Sequence, residues 1–171
     1  GHGLGHAFLD QHFDDIRHVI NTNITGTLYL IQKVGCDMRT RGQGRILITG
    51  SVAGFLPGTF QAVYNGTKAF LNSFSWALRS ELQDTGVTVT CLMPGATETE
   101  FFERADMLDS KVGQSKKQSA AEVADAAFEA LQDRKDHVIP GAKNKLQAGM
   151  AKMMSDPARA KAHEAQTKPK H

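Results

Sequence analysis

Residues 45–68, RILITGSVAGFLPGTFQAVYNGTK, constrain the fold more strongly than any other stretch of the chain. The stretch opens with a short apolar run, residues 45–49, whose branched side chains are typical of a strand covered on both faces. This run ends at Gly50 and Ser51, and a helical pattern begins near Val63. The order of strand, loop and helix predicts part of an open α/β sheet. Ser51 would lie at the carboxyl end of the strand, where such sheets bind ligands.

Three polar side chains in this stretch, Ser51, Tyr64 and Lys68, suit one kind of chemistry. Tyr64 and Lys68 are four residues apart, so a helix would present them on one face. A phenol has an ordinary pKa of about 10, and a neighbouring ammonium group favours its phenolate form. Tyr64 could then act as a general acid or base while Ser51 holds a substrate oxygen. The spacing therefore predicts interconversion of a carbonyl and an alcohol by hydride transfer.

The same three residues resemble the active site of the short-chain dehydrogenase/reductase family. Tyr64 follows Ser51 after thirteen residues, and Lys68 follows Tyr64 after four. Upstream, residues 23–26 (Asn-Ile-Thr-Gly) resemble the asparagine motif of this family. Downstream, residues 94–99 (Pro-Gly-Ala-Thr-Glu-Thr) resemble the family's segment around the nicotinamide. The resemblance covers most of the chain between residues 16 and 141.

The resemblance implies a fold and a set of residue roles. The fold is a Rossmann-like, doubly wound parallel sheet in three α/β/α layers, and residues 1–171 form one domain that corresponds to its carboxyl-terminal part. Tyr64 is the implied proton donor or acceptor, and Ser51 orients the substrate oxygen. Lys68 lowers the pKa of Tyr64 and holds the nicotinamide ribose, and Asn23 completes a proton relay. The implied substrate is a small-molecule carbonyl or alcohol.

The implied cofactor is NAD or NADP, which Tyr64 and Lys68 would contact together with the turn after the next strand. Pro94 removes a backbone donor and Gly95 permits the close approach of a flat ligand. The resemblance assigns the backbone around Thr97 to the nicotinamide carboxamide, and the Thr99 hydroxyl to the amide or phosphate region of the cofactor. Thr97 stands where the family more often has a branched aliphatic residue.

The beginning of the chain departs from the family pattern. Members begin with a strand, a glycine-rich turn and a helix that bind the cofactor diphosphate, whereas Gly1 would fall at the end of the later Asn-Asn-Ala-Gly motif. We therefore expect this sequence to be the carboxyl-terminal part of a longer enzyme. Residues 1–5, GHGLG, do not serve as a dinucleotide fingerprint, because such a loop needs a preceding strand.

Composition indicates an ordinary globular protein in a reducing cytoplasm. The net charge is +2, with 40% hydrophobic and 22% charged residues, and this gives no sign of a nucleic-acid surface. Neither a membrane span nor a secretory signal is predicted. Cys36 and Cys91 have no disulfide or metal spacing, and Cys91 is predicted to be a small buried side chain. No metal site is predicted, and four histidines near the start are expected to face solvent: His2, His6, His12 and His18.

Helical periodicity and end signals predict the remaining elements. Residues 8–38 are expected to be mostly helical, with Asp10 capping a first turn. The resemblance adds a local break of this helix at Asn23. A helix over residues 63–84 would end with a left-handed Gly86. Ser119 is expected to open a capping box for the next helix.

Three segments are assigned to the surroundings of the site. Residues 100–118 resemble a mobile lid over the substrate, and residues 144–171 are expected to form a marginal helix with a frayed tail. By the same resemblance, the helices that carry Asn23 and Tyr64 would pack against their copies in a homo-oligomer, a dimer or a tetramer. Four loop residues are predicted to line a mostly apolar pocket: Phe55, Leu56, Pro57 and Phe60.

Two alternatives remain open at this point. The first is a truncated, non-catalytic fragment that acts only by association, because loss of the leading strands would expose an apolar sheet edge. The second is a serine hydrolase with Ser51 as nucleophile. That motif needs glycine two residues before and two residues after the serine, but Thr49 and Ala53 occupy those positions.

Overall fold

A parallel three-stranded sheet forms the centre of the computed structural model, which describes residues 1–168 except for the side chain of Lys152. The strands lie in the order β1 (Gly44–Thr49), β2 (Val87–Leu92) and β3 (His137–Val138). The register places Cys91 opposite both Ile48 and His137. The predicted α/β fold is confirmed, and β1 forms one edge of the sheet.

Eight α-helices and three shorter turns surround the sheet in the described part of the chain. Of these helices, none is both long enough and apolar enough to cross a membrane. The helices are α1 (Phe13–Ile20), α2 (Gly26–Thr40), α3 (Ala62–Glu81), α4 (Phe101–Arg104), α5 (Lys111–Gln114), α6 (Ala120–Gln132), α7 (Ala142–Met153) and α8 (Asp156–Thr167). The turns are 3-10 helices over Phe8–Asp10 and Val52–Phe55 and a π-helical turn over Asn21–Thr25.

Helices cover both faces of the sheet and produce the predicted three layers. Side chains of a strand alternate between the two faces, so neighbouring residues pack into different layers. Ile48 and Val89 pack with Leu71 of α3 on one face, where partly buried side chains of α2 complete the core. On the opposite face, Leu92 of β2 packs against Val123 of α6.

Three predicted end signals differ from the structure. Asp10 lies in a separate 3-10 turn, because the chain is extended at residues 11 and 12, and α1 begins after His12 instead. Ser119 does occupy the position before α6, but its side chain makes no capping hydrogen bond. Gly86 is left-handed, with φ of 74°, yet α3 already ends at Glu81. Gly86 instead completes the turn into β2, where a Cβ atom would overlap the carbonyl oxygen of Gly42.

The carboxyl-terminal segment forms two helices rather than one marginal helix, and it packs over the loop that follows β1. Arg159 donates to the carbonyl oxygen of Phe55 at 2.6 Å. The Thr59 hydroxyl donates to the carbonyl oxygen of Ala160 at 2.9 Å. Thr167 donates to the Thr59 carbonyl at 2.7 Å. The end of the predicted frayed tail, residues 169–171, lies outside the described residues.

Candidate active site

The end of β1 and the first turns of α3 bring Ser51, Tyr64 and Lys68 together. Ser51 follows β1 in extended conformation and is almost completely buried. The Ser51 side chain is close enough to the Tyr64 hydroxyl to lower the pKa of that phenol. Lys68, one turn further along α3, is 4% exposed and donates its Nζ to the carbonyl oxygen of Thr49 at 2.8 Å. The three side chains that the sequence singled out therefore form one cluster.

Burial dominates the electrostatics of this cluster. It raises the pKa of Tyr64 to about 12, and the Ser51 side chain opposes this rise only in part. Burial also lowers the pKa of Lys68 to about 8. This outcome is opposite to the predicted lowering of the Tyr64 pKa by Lys68. The ammonium is bound to the Thr49 carbonyl and lies 5.8 Å from the centre of the Tyr64 ring, so burial has the larger effect.

Asn23 lies in the π-helical turn, which is the local break in the helix that the resemblance implied. Its side chain is buried and fully engaged. The Oδ1 atom accepts from the backbone N of His2 at 2.7 Å, and Nδ2 donates to the His2 carbonyl at 2.8 Å. Nδ2 also donates to the Thr67 hydroxyl at 3.0 Å. Because Thr67 precedes Lys68 on α3, Asn23 connects the beginning of the chain to the helix of the candidate site.

The turn after β2 lies directly beside Ser51. The carbonyl oxygen of Pro94 accepts from Ser51 Oγ at 3.2 Å and from the backbone N of Val52 at 3.1 Å. Thr97 donates its hydroxyl to the Gly95 carbonyl at 3.0 Å. Thr99 is exposed, and its hydroxyl accepts from the backbone N of Phe101 at 3.3 Å, at the start of α4. The structure thus places Pro94 and Gly95 next to the cluster, whereas the Thr99 side chain helps to begin the lid.

Residues 98–118, which we call the lid, fold over Tyr64 and contain α4 and α5. The two ends of the lid are joined by backbone hydrogen bonds, because the backbone N of Glu98 donates to the Gln118 carbonyl at 2.8 Å and the backbone N of Gln118 donates to the Ala96 carbonyl at 2.9 Å. The ring of Phe101 lies 4.9 Å from the Tyr64 ring, centre to centre. A Cβ atom at Gly3 would overlap the Phe101 ring. The lid and the first residues of the chain therefore meet above Tyr64.

Sequence reasoning missed several buried polar residues that support the site. Asn72 binds the backbone of Ser51, and Asn65 binds the loop between Ser51 and Tyr64. Asn72 could have been found, since it follows Lys68 by four residues and shares its helix face. His163 of α8 contacts the same loop through the Thr59 carbonyl at 3.3 Å. No local pattern indicates that contact, because the two residues are far apart in the chain.

The donors around Tyr64 fit a nicotinamide riboside. The Lys68 ammonium and the Tyr64 hydroxyl are suited to binding the hydroxyl groups of a ribose. Both groups lie at the carboxyl ends of the strands, where Gly95 follows β2. One side of Gly95 is covered by the Asn144 side chain, which a Cβ atom there would overlap. Among the described residues, no group of three or more histidine, cysteine or acidic side chains could hold a metal ion.

The parallel sheet has helices on both faces and a Ser–Tyr–Lys cluster at the carboxyl ends of its strands, an α/β arrangement suited to proton transfer at a carbonyl or an alcohol. The comparison with protein families agrees with this. A family model described as short chain dehydrogenase matches residues 1–110. The chain belongs to the short-chain dehydrogenase family, whose members use NAD or NADP.

Three similar proteins illustrate the relationship. An uncharacterized oxidoreductase of Staphylococcus epidermidis is 34% identical over 131 residues, which are 77% of this chain and 55% of the relative. A short-chain dehydrogenase from Sphingobium yanoikuyae in complex with NADPH superposes with a TM-score of 0.77 at 30% identity, covering 91% of this chain and 62% of that one. A bulky-bulky ketone specific alcohol dehydrogenase from Comamonas testosteroni superposes with a TM-score of 0.71 at 27% identity. This superposition covers 90% of this chain and 58% of that one. The chain thus spans little more than half the length of these relatives.

Proposed function

We propose that this chain carries the catalytic half of an NAD(P)-dependent oxidoreductase that interconverts a ketone or aldehyde and an alcohol, with Tyr64 as general acid and base. One observation carries the proposal. Ser51 lies just beyond the last residue of β1, and Lys68, one helical turn beyond Tyr64 on α3, is buried with its Nζ bound to the carbonyl oxygen of that last residue, Thr49. The NADPH complex of the Sphingobium relative supports the choice of cofactor class.

The reaction needs a hydride, which a bound nicotinamide supplies. Ser51 Oγ and the Tyr64 hydroxyl hold the substrate oxygen between them, and Tyr64 gives that oxygen its proton. Because burial raises the Tyr64 pKa to about 12, the phenol keeps its proton near neutral pH and is suited to donating it. The protonated phenol is the form that a carbonyl reduction needs, since that direction takes a proton from Tyr64.

Lys68 and Asn23 have supporting roles in this proposal. Lys68 is buried beside the tyrosine, and its pKa of about 8 lets it carry or release a proton close to neutral pH. Its ammonium would also hold the nicotinamide ribose. Asn23 is connected to Lys68 through Thr67, so it fixes the relay at the side of α3 that faces the beginning of the chain.

The proposed substrate is a bulky carbonyl compound. The support for this choice is the bulky-bulky ketone specific alcohol dehydrogenase from Comamonas testosteroni. A cavity of about 740 Å³ does lie beside Phe60 and Asp106, but its lining is mostly polar and includes none of Ser51, Tyr64 and Lys68, so it is not assigned to the substrate.

Replacing Tyr64 by phenylalanine tests the proposed chemistry. The Tyr64→Phe variant keeps the ring contact with Phe101 but loses the proton, and we expect turnover of a bulky ketone with NADPH to fall by about 10²–10⁴-fold. Tyr29→Phe is the matched control, because Tyr29 lies exposed on α2. Thermal unfolding of both variants shows whether the fold is intact. Substantial turnover by a folded Tyr64→Phe protein contradicts the assignment.

Titration of this chain with NADH and NADPH separates the enzyme from the non-catalytic alternative. Saturable binding, followed by the fluorescence of the reduced nicotinamide, is the expected result. A folded chain that binds neither dinucleotide favours a fragment that acts by association. The comparison of NADH with NADPH also measures the cofactor preference directly.

We also propose a homo-oligomer formed through the outer sides of α2 and α3. Large exposed apolar side chains mark association surfaces, and the two helices carry several. Leu30→Glu should therefore lower the mass measured by sedimentation, while Leu146→Glu on α7 should not. An unchanged mass in both variants contradicts this interface. The exposed side chains of this surface are Leu30 and Val34 on α2 and Phe70 and Trp76 on α3.

A further inference from the structure

Asn72 makes two hydrogen bonds to a single residue, Ser51. Its Oδ1 accepts from the backbone N of Ser51 at 3.3 Å, and its Nδ2 donates to the carbonyl oxygen of Ser51 at 2.9 Å. Asn72 is buried in the middle of α3, although asparagine is a poor helix former and a buried amide must be hydrogen-bonded. The Asn72 amide thus supplies hydrogen bonds to the Ser51 peptide groups just after β1, where the sheet no longer supplies them.

The surroundings of Asn72 fit a flat amide group closely. A Cβ atom at Gly50 would overlap its Oδ1, and a Cβ atom at Gly54 would overlap its Nδ2. Cys91 of the neighbouring strand donates to Oδ1 at 3.8 Å. Two glycines and a small thiol therefore leave room for this side chain directly behind Ser51.

A second asparagine of the same helix holds the rest of the loop. Asn65 follows Tyr64, and its Nδ2 donates to the carbonyl oxygens of Ala53 at 3.0 Å and of Leu56 at 3.1 Å. The Ser51 side chain also donates to the Pro94 carbonyl. The helix that presents Tyr64 therefore also holds the backbone of Ser51 and of the loop that follows it.

We propose that Asn72 is a positioning residue, which fixes the Ser51 backbone so that Ser51 Oγ meets the Tyr64 hydroxyl. The inference rests on the proposed function, since it gives a role to Ser51 in that same site. Its physical basis is the pair of hydrogen bonds to the Ser51 peptide groups in a pocket that has no space for a longer side chain. Asn72 acts only through Ser51 and does not touch the substrate.

Fluorine NMR tests the contact without any turnover. The chain has two tyrosines, so incorporation of 3-fluorotyrosine gives one signal from exposed Tyr29 and one from Tyr64. Asn72→Leu has a similar size but removes both hydrogen bonds. We expect it to shift the Tyr64 signal in the same direction as Ser51→Ala does, with no further shift in the double variant. The Tyr29 signal should stay in place.

Ser75→Ala is the matched control for this experiment. Ser75 is also buried on α3, one turn beyond Leu71, and its hydroxyl donates to the Leu71 carbonyl at 2.7 Å. The variant removes a buried polar group from the same helix without touching the loop after β1. We expect no shift of the Tyr64 signal. A Tyr64 signal that moves with Ser51→Ala but stays in place with Asn72→Leu overturns the proposal.

Steady-state kinetics provide the second measurement, with NADPH and a bulky ketone. Asn72→Leu should lower kcat by about 10²-fold, as expected for a misplaced catalytic group, with a much smaller change in KM. In a double-mutant cycle, adding Asn72→Leu to Ser51→Ala should cause no further loss. Independent losses that multiply indicate a general structural role and overturn the proposal.

The outcomes separate this inference from the proposed function. If the unmodified chain has no turnover, the kinetic comparison has no baseline, and the fluorine signals alone decide the role of Asn72. If Asn72→Leu does not fold, Asn72→Ala, which leaves room for water, takes its place. If neither variant folds, hydrogen exchange of the unmodified chain decides. A Ser51 amide that exchanges as in an unfolded peptide overturns the proposal, and a protected one supports it.

Discussion

The buried ammonium of Lys68 should destabilise the fold, and Lys68→Met should reveal by how much. Burial lowers the Lys68 pKa from 10.5 to about 8, and each pKa unit corresponds to about 1.36 kcal/mol. Keeping the charged form buried at pH 7 therefore costs about 3 kcal/mol. Methionine removes that cost but also loses the hydrogen bond to the Thr49 carbonyl, worth about 1 kcal/mol. We expect Lys68→Met to be more stable at pH 7 by about 2 kcal/mol, while losing turnover.

The pH dependence gives this prediction its sign. Between about pH 8 and 10.5 the unfolded chain keeps the Lys68 proton and the folded chain releases it. The free energy of unfolding of the unmodified protein should therefore rise across this range relative to Lys68→Met, and the advantage of the variant should disappear. Urea denaturation of both proteins from pH 7 to 10 measures the difference. Lys145→Met, at an exposed position of α7, is the control.

A constant difference between the unmodified protein and Lys68→Met across this pH range would refute the reasoning. It would mean that Lys68 titrates in the folded chain as it does in water, and that its burial carries no electrostatic cost. A Lys145→Met curve that behaves like the Lys68→Met curve would lead to the same conclusion. Comparing variants cancels other groups, including Tyr64, whose raised pKa affects stability only above about pH 10.

Three further predictions concern the supports of the site. Burial lowers the pKa of His163 below 6.5, so the free energy of unfolding of the unmodified protein should fall as the pH falls from 7 to 5. His163→Leu should lose less of its free energy of unfolding over the same range, as measured by urea denaturation at pH 7 and pH 5. Gly50→Ala pushes a methyl group against Asn72, so its turnover should fall about as far as that of Asn72→Leu; full turnover would contradict the tight fit. Leu71→Ala should lower the free energy of unfolding by about 2–5 kcal/mol in the same assay, and less than 1 kcal/mol would mean that this core is loosely packed.

The parts of the fold that the sequence predicted well depend on local pattern. The strand at residues 45–49 and the helix that carries Tyr64 are set by short-range periodicity, and the structure has them as Gly44–Thr49 and Ala62–Glu81. The clustering of Ser51, Tyr64 and Lys68 followed from their spacing on these two elements. The irregular turn at Asn23 came from the family resemblance rather than from residue propensities.

The parts that the sequence did not predict depend on contacts between distant segments. The raised pKa of Tyr64 results from burial, and the lid ring of Phe101 packs on the tyrosine from 37 positions further along the chain. The docking of α8 on the loop after β1 joins Arg159 to Phe55 across more than one hundred residues. The helix-capping motif at Ser119 was present in the sequence, but the structure does not use it. A local pattern states what a residue can do, whereas packing decides whether it does so.

Helix α3 explains why the candidate site can contain so many buried polar groups. Tyr64, Lys68 and Asn72 follow at intervals of four residues, so one helix face meets the end of β1 with a phenol, an ammonium and an amide. Each has a partner there, in Ser51 or Thr49, and burial without partners would be much more costly. Leu71, on the same helix, packs into the core between the sheet and α2 and anchors α3. The position of Ser51 relative to Tyr64 is therefore set mainly by α3 and the end of β1, and the Pro94 carbonyl in the turn after β2 holds the Ser51 hydroxyl from a third side.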